Sequence, residues 1–251
     1  MSSLKNNVKN KENLTQRAYF NSITGIIDFG SKQLVGFIIN TISISILSPY
    51  IYGVWKTISQ LNNYMTMSNI NVSQTLRILV ARERSISSDE TLKKYFTASI
   101  YANIFFLPLY LLLGIILIYI SPFISGAKEE YFYEIRLCMS FLIISFILKQ
   151  FFSLFEAVLR GMNMAYKRMG IRAVITIIAG ILTATVLYMG YGIVGMALVN
   201  ILTVLITGVT IWWIVFKHVP WFGSTKIDFL EVKNLIKKSG KFMVEKLVKT
   251  M

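Results

Sequence analysis

Long apolar runs constrain this chain more than any other feature. They recur at roughly 25–47, 53–76, 96–120, 137–159, 173–189 and 193–216. A helix rising 1.5 Å per residue needs about 20 residues to cross about 30 Å of hydrocarbon, and most of these runs are that long. Backbone polar groups find no water in a bilayer, so the runs are expected as helices rather than open strands. Composition supports this, with 55% hydrophobic and only 15% charged residues, a balance foreign to soluble domains. The expected fold class is an all-α integral membrane six-helix bundle. Tyr50, Tyr52, Trp55, Tyr119, Tyr188, Tyr191, Trp212 and Trp213 fall near the ends of the runs, where interfacial aromatics belong.

The second run is the most polar, holding Lys56, Gln60, Asn62, Asn63, Asn69, Asn71 and Gln74. By polarity alone it also fits a helix lying on the membrane surface. Charge placement favours a crossing. Of a net charge of +14, basic residues precede the first run (Lys5, Lys9, Lys11, Arg17) and lie between the second and third (Arg77, Arg82, Arg84, Lys93, Lys94). They also lie between the fourth and fifth (Arg160, Lys167, Arg168, Arg172) and after the sixth. The other connections are nearly bare of them. Basic loops stay cytoplasmic, so the alternation is unbroken only if six segments cross with both termini inside. The basic surplus is then topological, facing an anionic leaflet, and no nucleic-acid partner is expected. The N-terminal stretch lacks the short apolar core and cleavage site of a signal peptide. Cys138, inside the fourth run, is the only cysteine, so no intrachain disulfide is expected.

Three runs carry polar stripes at helical spacing. The first has Gly25, Asp28, Lys32, Gly36, Asn40 and Ser43; the second has Lys56, Gln60, Asn63, Thr66, Asn69, Ser73 and Arg77; the fourth has Ser145, Lys149, Ser153, Glu156 and Arg160. Ionisable residues within spans face a bundle interior or a hydrated cavity rather than lipid. Three such stripes predict a hydrated, net cationic cavity. Rival readings stay open: Asp28–Lys32 and Glu156–Arg160 are spaced to pair on their own helices, and the lysines are long enough to snorkel. Pro108 predicts a kink in the third run. The fifth and sixth runs read as apolar scaffold. No metal-spaced cluster, phosphate-binding glycine loop or other enzyme signature is present, and no cofactor is expected.

"LSPYIYG" at 47–53 resembles the turn joining the first two helices of Wzx-type polysaccharide flippases, members of the MOP superfamily with MATE exporters. "VLRGMNMAYKRM" at 158–169 resembles the family's basic connection after the fourth helix, and "GYGIVGMALVNIL" at 190–202 its turn into the sixth. The resemblance implies one lobe of a two-lobed transporter: a basic cytoplasmic tail at 1–24, a six-helix lobe at 25–216, and a basic amphipathic segment at 217–251 leading toward a second lobe. That last segment also reads as a surface helix, with Phe229, Val232, Ile236, Met243 and Leu247 on one face.

It further implies a bacterial inner-membrane flippase, not an enzyme. Its cargo would be undecaprenyl-diphosphate-linked oligosaccharide for O-antigen or capsule, with a glycan polymerase and glycosyltransferases as partners. A diphosphate crossing low dielectric needs cationic and amide groups along its path. On the stripes, Lys32, Lys56, Lys149 and Arg160 would contact the anion, and Asn40, Gln60 and Asn63 the sugar hydroxyls. Asp28 and Glu156 would hold the basic groups in place or bind a coupling ion. The alternatives are a MATE-like ion-coupled exporter and a membrane scaffold for glycan-synthesis enzymes.

Overall fold

A computed structural model describes the backbone of residues 2–67 and 72–250, and side chains within 15–66 (Arg17 excepted) and 72–240. Among the described residues the structure is all-helical: α1 (Ser2–Ile46), α2 (Pro49–Met67), α3 (Val72–Glu83), α4 (Asp89–Ile124), α5 (Phe132–Gly161), α6 (Tyr166–Tyr188), α7 (Gly192–His218) and α8 (Phe229–Thr250). A short 3-10 turn, Glu129–Tyr131, precedes α5. The expected basic side chains before the first span, Asn69 and Asn71 of the second, and Met243 and Leu247 of the last segment lie outside the described residues.

Five helical stretches are long and apolar enough to cross a membrane: Ala18–Ile46, Asp89–Ile124, Glu129–Gly161, Tyr166–Tyr188 and Gly192–His218. They match the first, third, fourth, fifth and sixth expected runs, and each reaches beyond the apolar run at one end or both. The second expected run is divided between α2 and α3, on either side of residues 68–71. Amides and Lys56 dilute its apolar face, so neither half qualifies by itself. The helix through Pro108 is continuous, and α4 also accommodates Pro122.

Local chemistry explains the boundaries. Pro49 opens α2, where its missing N–H would have no partner in any case. Ser88 caps α4, its side chain accepting from the Thr91 N–H, while Asp89 and Glu90 complement the helix dipole. Tyr50 ties the α1–α2 turn to the next turn on that side, its hydroxyl accepting from the Lys128 N–H at 2.6 Å.

α1 packs chiefly on α6, α7 on both α5 and α6, and α5 on α3 and α4. The α1–α6 approach depends on Gly180: a Cβ there would lie 2.5 Å from Val35 Cγ1. Two apolar cores result. One, at the basic end, joins α3, α4, α5, α7 and α8 through Leu76, Phe96, Leu154, Ile214 and Leu235. The other, at the opposite end, gathers Val54, Tyr110, Met139, Phe146 and Ile193. Large apolar side chains such as Ile26, Phe37, Leu112 and Ile181 stay exposed around the bundle, as a hydrocarbon solvent requires.

Candidate functional site

The stripes on α1 and α5 turn toward each other. Asp28 is buried, and its carboxylate lies between two cations from different helices: Lys32 Nζ at 2.5 Å and, across the interface, Arg172 Nε of α6 at 3.8 Å. Glu156 of α5 is shared in the same way. Arg160 Nη2 is 2.6 Å from Glu156 Oε1, and Arg168 Nη2 of α6 is 3.0 Å from the same oxygen. Burying a carboxylate without such partners would be prohibitive.

Between these clusters lies a cavity of about 360 Å³. Lys32, Asn62, Asn63, Lys149, Glu156 and Arg172 line it, with Ser145 and Ser153 of α5 and Asn200, Thr203 and Thr207 of α7. A neighbouring cavity of about 350 Å³ shares Lys32, Thr176, Asn200 and Thr203 and extends past Asn40 to Trp55. Three cations (Lys32, Lys149, Arg172) thus face the first cavity against one carboxylate, Glu156, which is already engaged twice. Lys149 has no ion-pair partner among the described residues. The arrangement is an anion-accepting, hydroxyl- and amide-rich cleft.

The structure brings together Asp28, Lys32, Asn63, Lys149 and Glu156, and places Asn40 beside them in the second cavity. Lys56 stands off both walls, donating to Asn40 Oδ1 at 2.9 Å and lying 5.1 Å from the centre of the Tyr52 ring. Gln60 is exposed, and its closest polar contact is Asn63 Nδ2 at 3.5 Å. Arg160 faces a separate pocket at the basic end, with Glu156 between it and the cavity.

Several residues of the site and its ion pairs fall outside the stripes. Arg168 and Arg172 read in sequence as loop charges, yet both belong to α6 and supply the cross-helix halves of the ion pairs. The scaffold reading of the last two runs is also revised, because Thr176, Asn200, Thr203 and Thr207 reach the cavities. Asn200, Thr203 and Thr207 recur at i, i+3 and i+7, a usable signal masked by the strongly apolar residues between them. Among the described residues no group of acidic, His or Cys side chains could hold a metal ion.

Fold and cleft together define an all-helical, multi-pass membrane protein with a polar cavity between its helices. Its fold is similar to one half of solved transporters of the MOP superfamily. A MOP superfamily transporter from Pyrococcus furiosus aligns with a TM-score of 0.69 at 16% identity, over 93% of this chain and 53% of that one. A mutant MATE transporter aligns at 0.73 and 17% identity, over 93% and 54% respectively. An outward-facing multidrug resistance MATE transporter aligns at 0.63 and 18%, over 93% and 53%. The chain therefore spans about half the length of the solved structures it resembles. No family model and no curated protein matches the sequence.

Proposed function

We propose that this chain forms one six-helix lobe of a flippase carrying undecaprenyl-diphosphate-linked oligosaccharide across the bacterial inner membrane, with both termini cytoplasmic. One observation carries this reading: the cationic excess of the central cavity, where Lys32, Lys149 and Arg172 face an opening beside amides and hydroxyls. A diphosphate leaving water for low dielectric needs fixed cations to offset its lost hydration. The sugar portion needs donors and acceptors of the kind that Asn62, Asn63, Asn200 and Thr203 provide. Asp28 and Glu156 hold the cations in position. In this reading α2 and α3 together make the sixth crossing, which keeps every basic loop on one side.

A MATE-like exporter is the second reading, favoured by the solved structures that share the fold. An exporter of organic cations would use free carboxylates, whereas Asp28 and Glu156 are each held by two cations. The Pyrococcus furiosus protein is described as having a binding pocket of reversed polarity that suggests a different function, so this fold admits more than one pocket charge.

The deciding experiment is leaflet-resolved detection of lipid-linked oligosaccharide in cells lacking the gene, before and after restoring this chain. Cytoplasmic-face accumulation relieved by restoration supports the flippase. Wild-type distribution in the deletion strain overturns it and leaves the exporter, or a scaffold for glycan-synthesis enzymes.

A further inference from the structure

At the basic end of the bundle, apart from the central cavity, α3, α5 and α6 surround an open pocket of about 600 Å³. Arg77, Arg82 and Arg160 line it, over an apolar base that includes Ile78, Ala165 and Met169. Its frame is rigid. A Cβ on Gly161 would lie 2.7 Å from Val80 and 3.0 Å from the Arg77 carbonyl oxygen, so α3 and α5 touch backbone to backbone beneath the arginines. Arg84 Nη1 donates to the Gly161 carbonyl at 3.1 Å and fastens the same contact.

Most of the donor capacity here is unspent. A guanidinium carries five N–H donors. Arg160 directs one nitrogen to Glu156, Arg82 directs Nε to Glu83, and Arg77 has no ion-pair partner among the described residues. The remaining donors belong to three side chains that line one opening. Forked guanidiniums match phosphate oxygens in pairs, as compact ammonium groups do not. The apolar base and the position, where apolar spans give way to basic loops, suit a phosphate that is attached to a lipid.

We propose that this pocket binds the phosphate headgroup of an anionic membrane lipid. The site is separate from the central cavity and does not depend on what that cavity carries.

The test uses the whole chain in detergent, with lipid retention read by native mass spectrometry after addition of phosphatidylglycerol, phosphatidylcholine, a polyprenyl diphosphate or inorganic phosphate. Retention of phosphatidylglycerol or the polyprenyl diphosphate over phosphatidylcholine is expected. It should fall about a hundredfold when Arg77→Gln and Arg82→Gln remove two charge-assisted contacts. The Arg77→Lys, Arg82→Lys pair, which keeps the charge but loses the fork, should give intermediate retention. Which of the two lipids is held more tightly identifies the headgroup. Equal retention of phosphatidylcholine, or unchanged retention in the folded glutamine variant, overturns the proposal. Displacement of lipid by inorganic phosphate at equal concentration overturns it too, by showing a site for the free anion. If the glutamine variant fails to fold, the lysine pair and the phosphate competition on the unaltered chain still decide.

Discussion

Arg168 reaches across from α6 to Glu156 of α5, Nη2 to Oε1 at 3.0 Å, with only 1% of its side chain exposed. No polar nitrogen of that guanidinium makes a well-aligned hydrogen bond among the described residues, so the contact is a close but skewed ion pair. Glu156 is therefore what makes a buried cation tolerable. Removing one member of such a pair costs more than the pair is worth, because it strands the other. Glu156→Gln should destabilise the folded chain by about 3 kcal/mol, measured by denaturant unfolding in detergent. Combining it with Arg168→Met should recover much of that loss. A double variant no more stable than Glu156→Gln would show that Arg168 contributes by packing alone.

Lys149 offers the opposite case. It lines the cavity with no ion-pair partner among the described residues, so its charge is available to a ligand. Lys149→Gln should leave unfolding within about 0.5 kcal/mol of the native value. Affinity for a polyprenyl diphosphate, by titration calorimetry, should drop about tenfold, as loss of one charge-assisted contact implies. Unchanged affinity would remove Lys149 from the site.

Helix approach is set by small residues. Gly180 sits against Val35, where an added Cβ would come within 2.5 Å of Cγ1, and both residues line the second cavity. Gly180→Val should push α1 from α6 and destabilise by about 1–3 kcal/mol, since overpacked cores respond on that scale. Because Asp28 and Arg172 face each other across the same interface, cross-linking between cysteines at positions 28 and 172 should weaken in the Gly180→Val background. An unchanged cross-linking yield would show that the interface absorbs the bulk.

At the basic end, the Ser87 hydroxyl and then Arg82 hold the Glu83 carboxyl below the usual carboxylate range. A lowered folded-state value means a stabilising contribution that is complete above the unfolded value of about 4.3 and lost as pH falls through the lower folded value. The α3–α4 connection should thus loosen in acid, read as faster amide exchange at Ser85–Ser88 positions. Glu83→Gln should abolish that pH dependence, with exchange at neutral pH already raised toward the acid level of the unaltered chain. A variant that keeps the acid response would assign it to another group.

The first and fourth stripes were legible because each lies on one helix. Asp28 with Lys32 and Glu156 with Arg160 are four residues apart, and helical periodicity alone brings them together. The α1–α2 turn was equally plain in Ser48 and Pro49. Gln60 and Lys56 were grouped with the cavity by the same periodicity, yet they stand outside its walls, since a stripe fixes a face but not which neighbour that face meets.

The sequence by itself determined a membrane-spanning helical chain, the rough position of most of its spans, the clustering of its basic residues and the existence of polar stripes. All of these follow from local hydrophobicity and the 3.6-residue period, which need no partner. Only the tertiary structure decided that Arg172 meets Asp28 and Arg168 meets Glu156, because the members of each pair lie on different helices, α1 with α6 and α5 with α6, and are joined only by the packing of α6 on its neighbours. It also decided that α7, apolar along most of its length, turns Asn200, Thr203 and Thr207 into the cavity. A few polar atoms on an apolar helix acquire a role only once neighbouring helices fix which side of it is shielded from lipid.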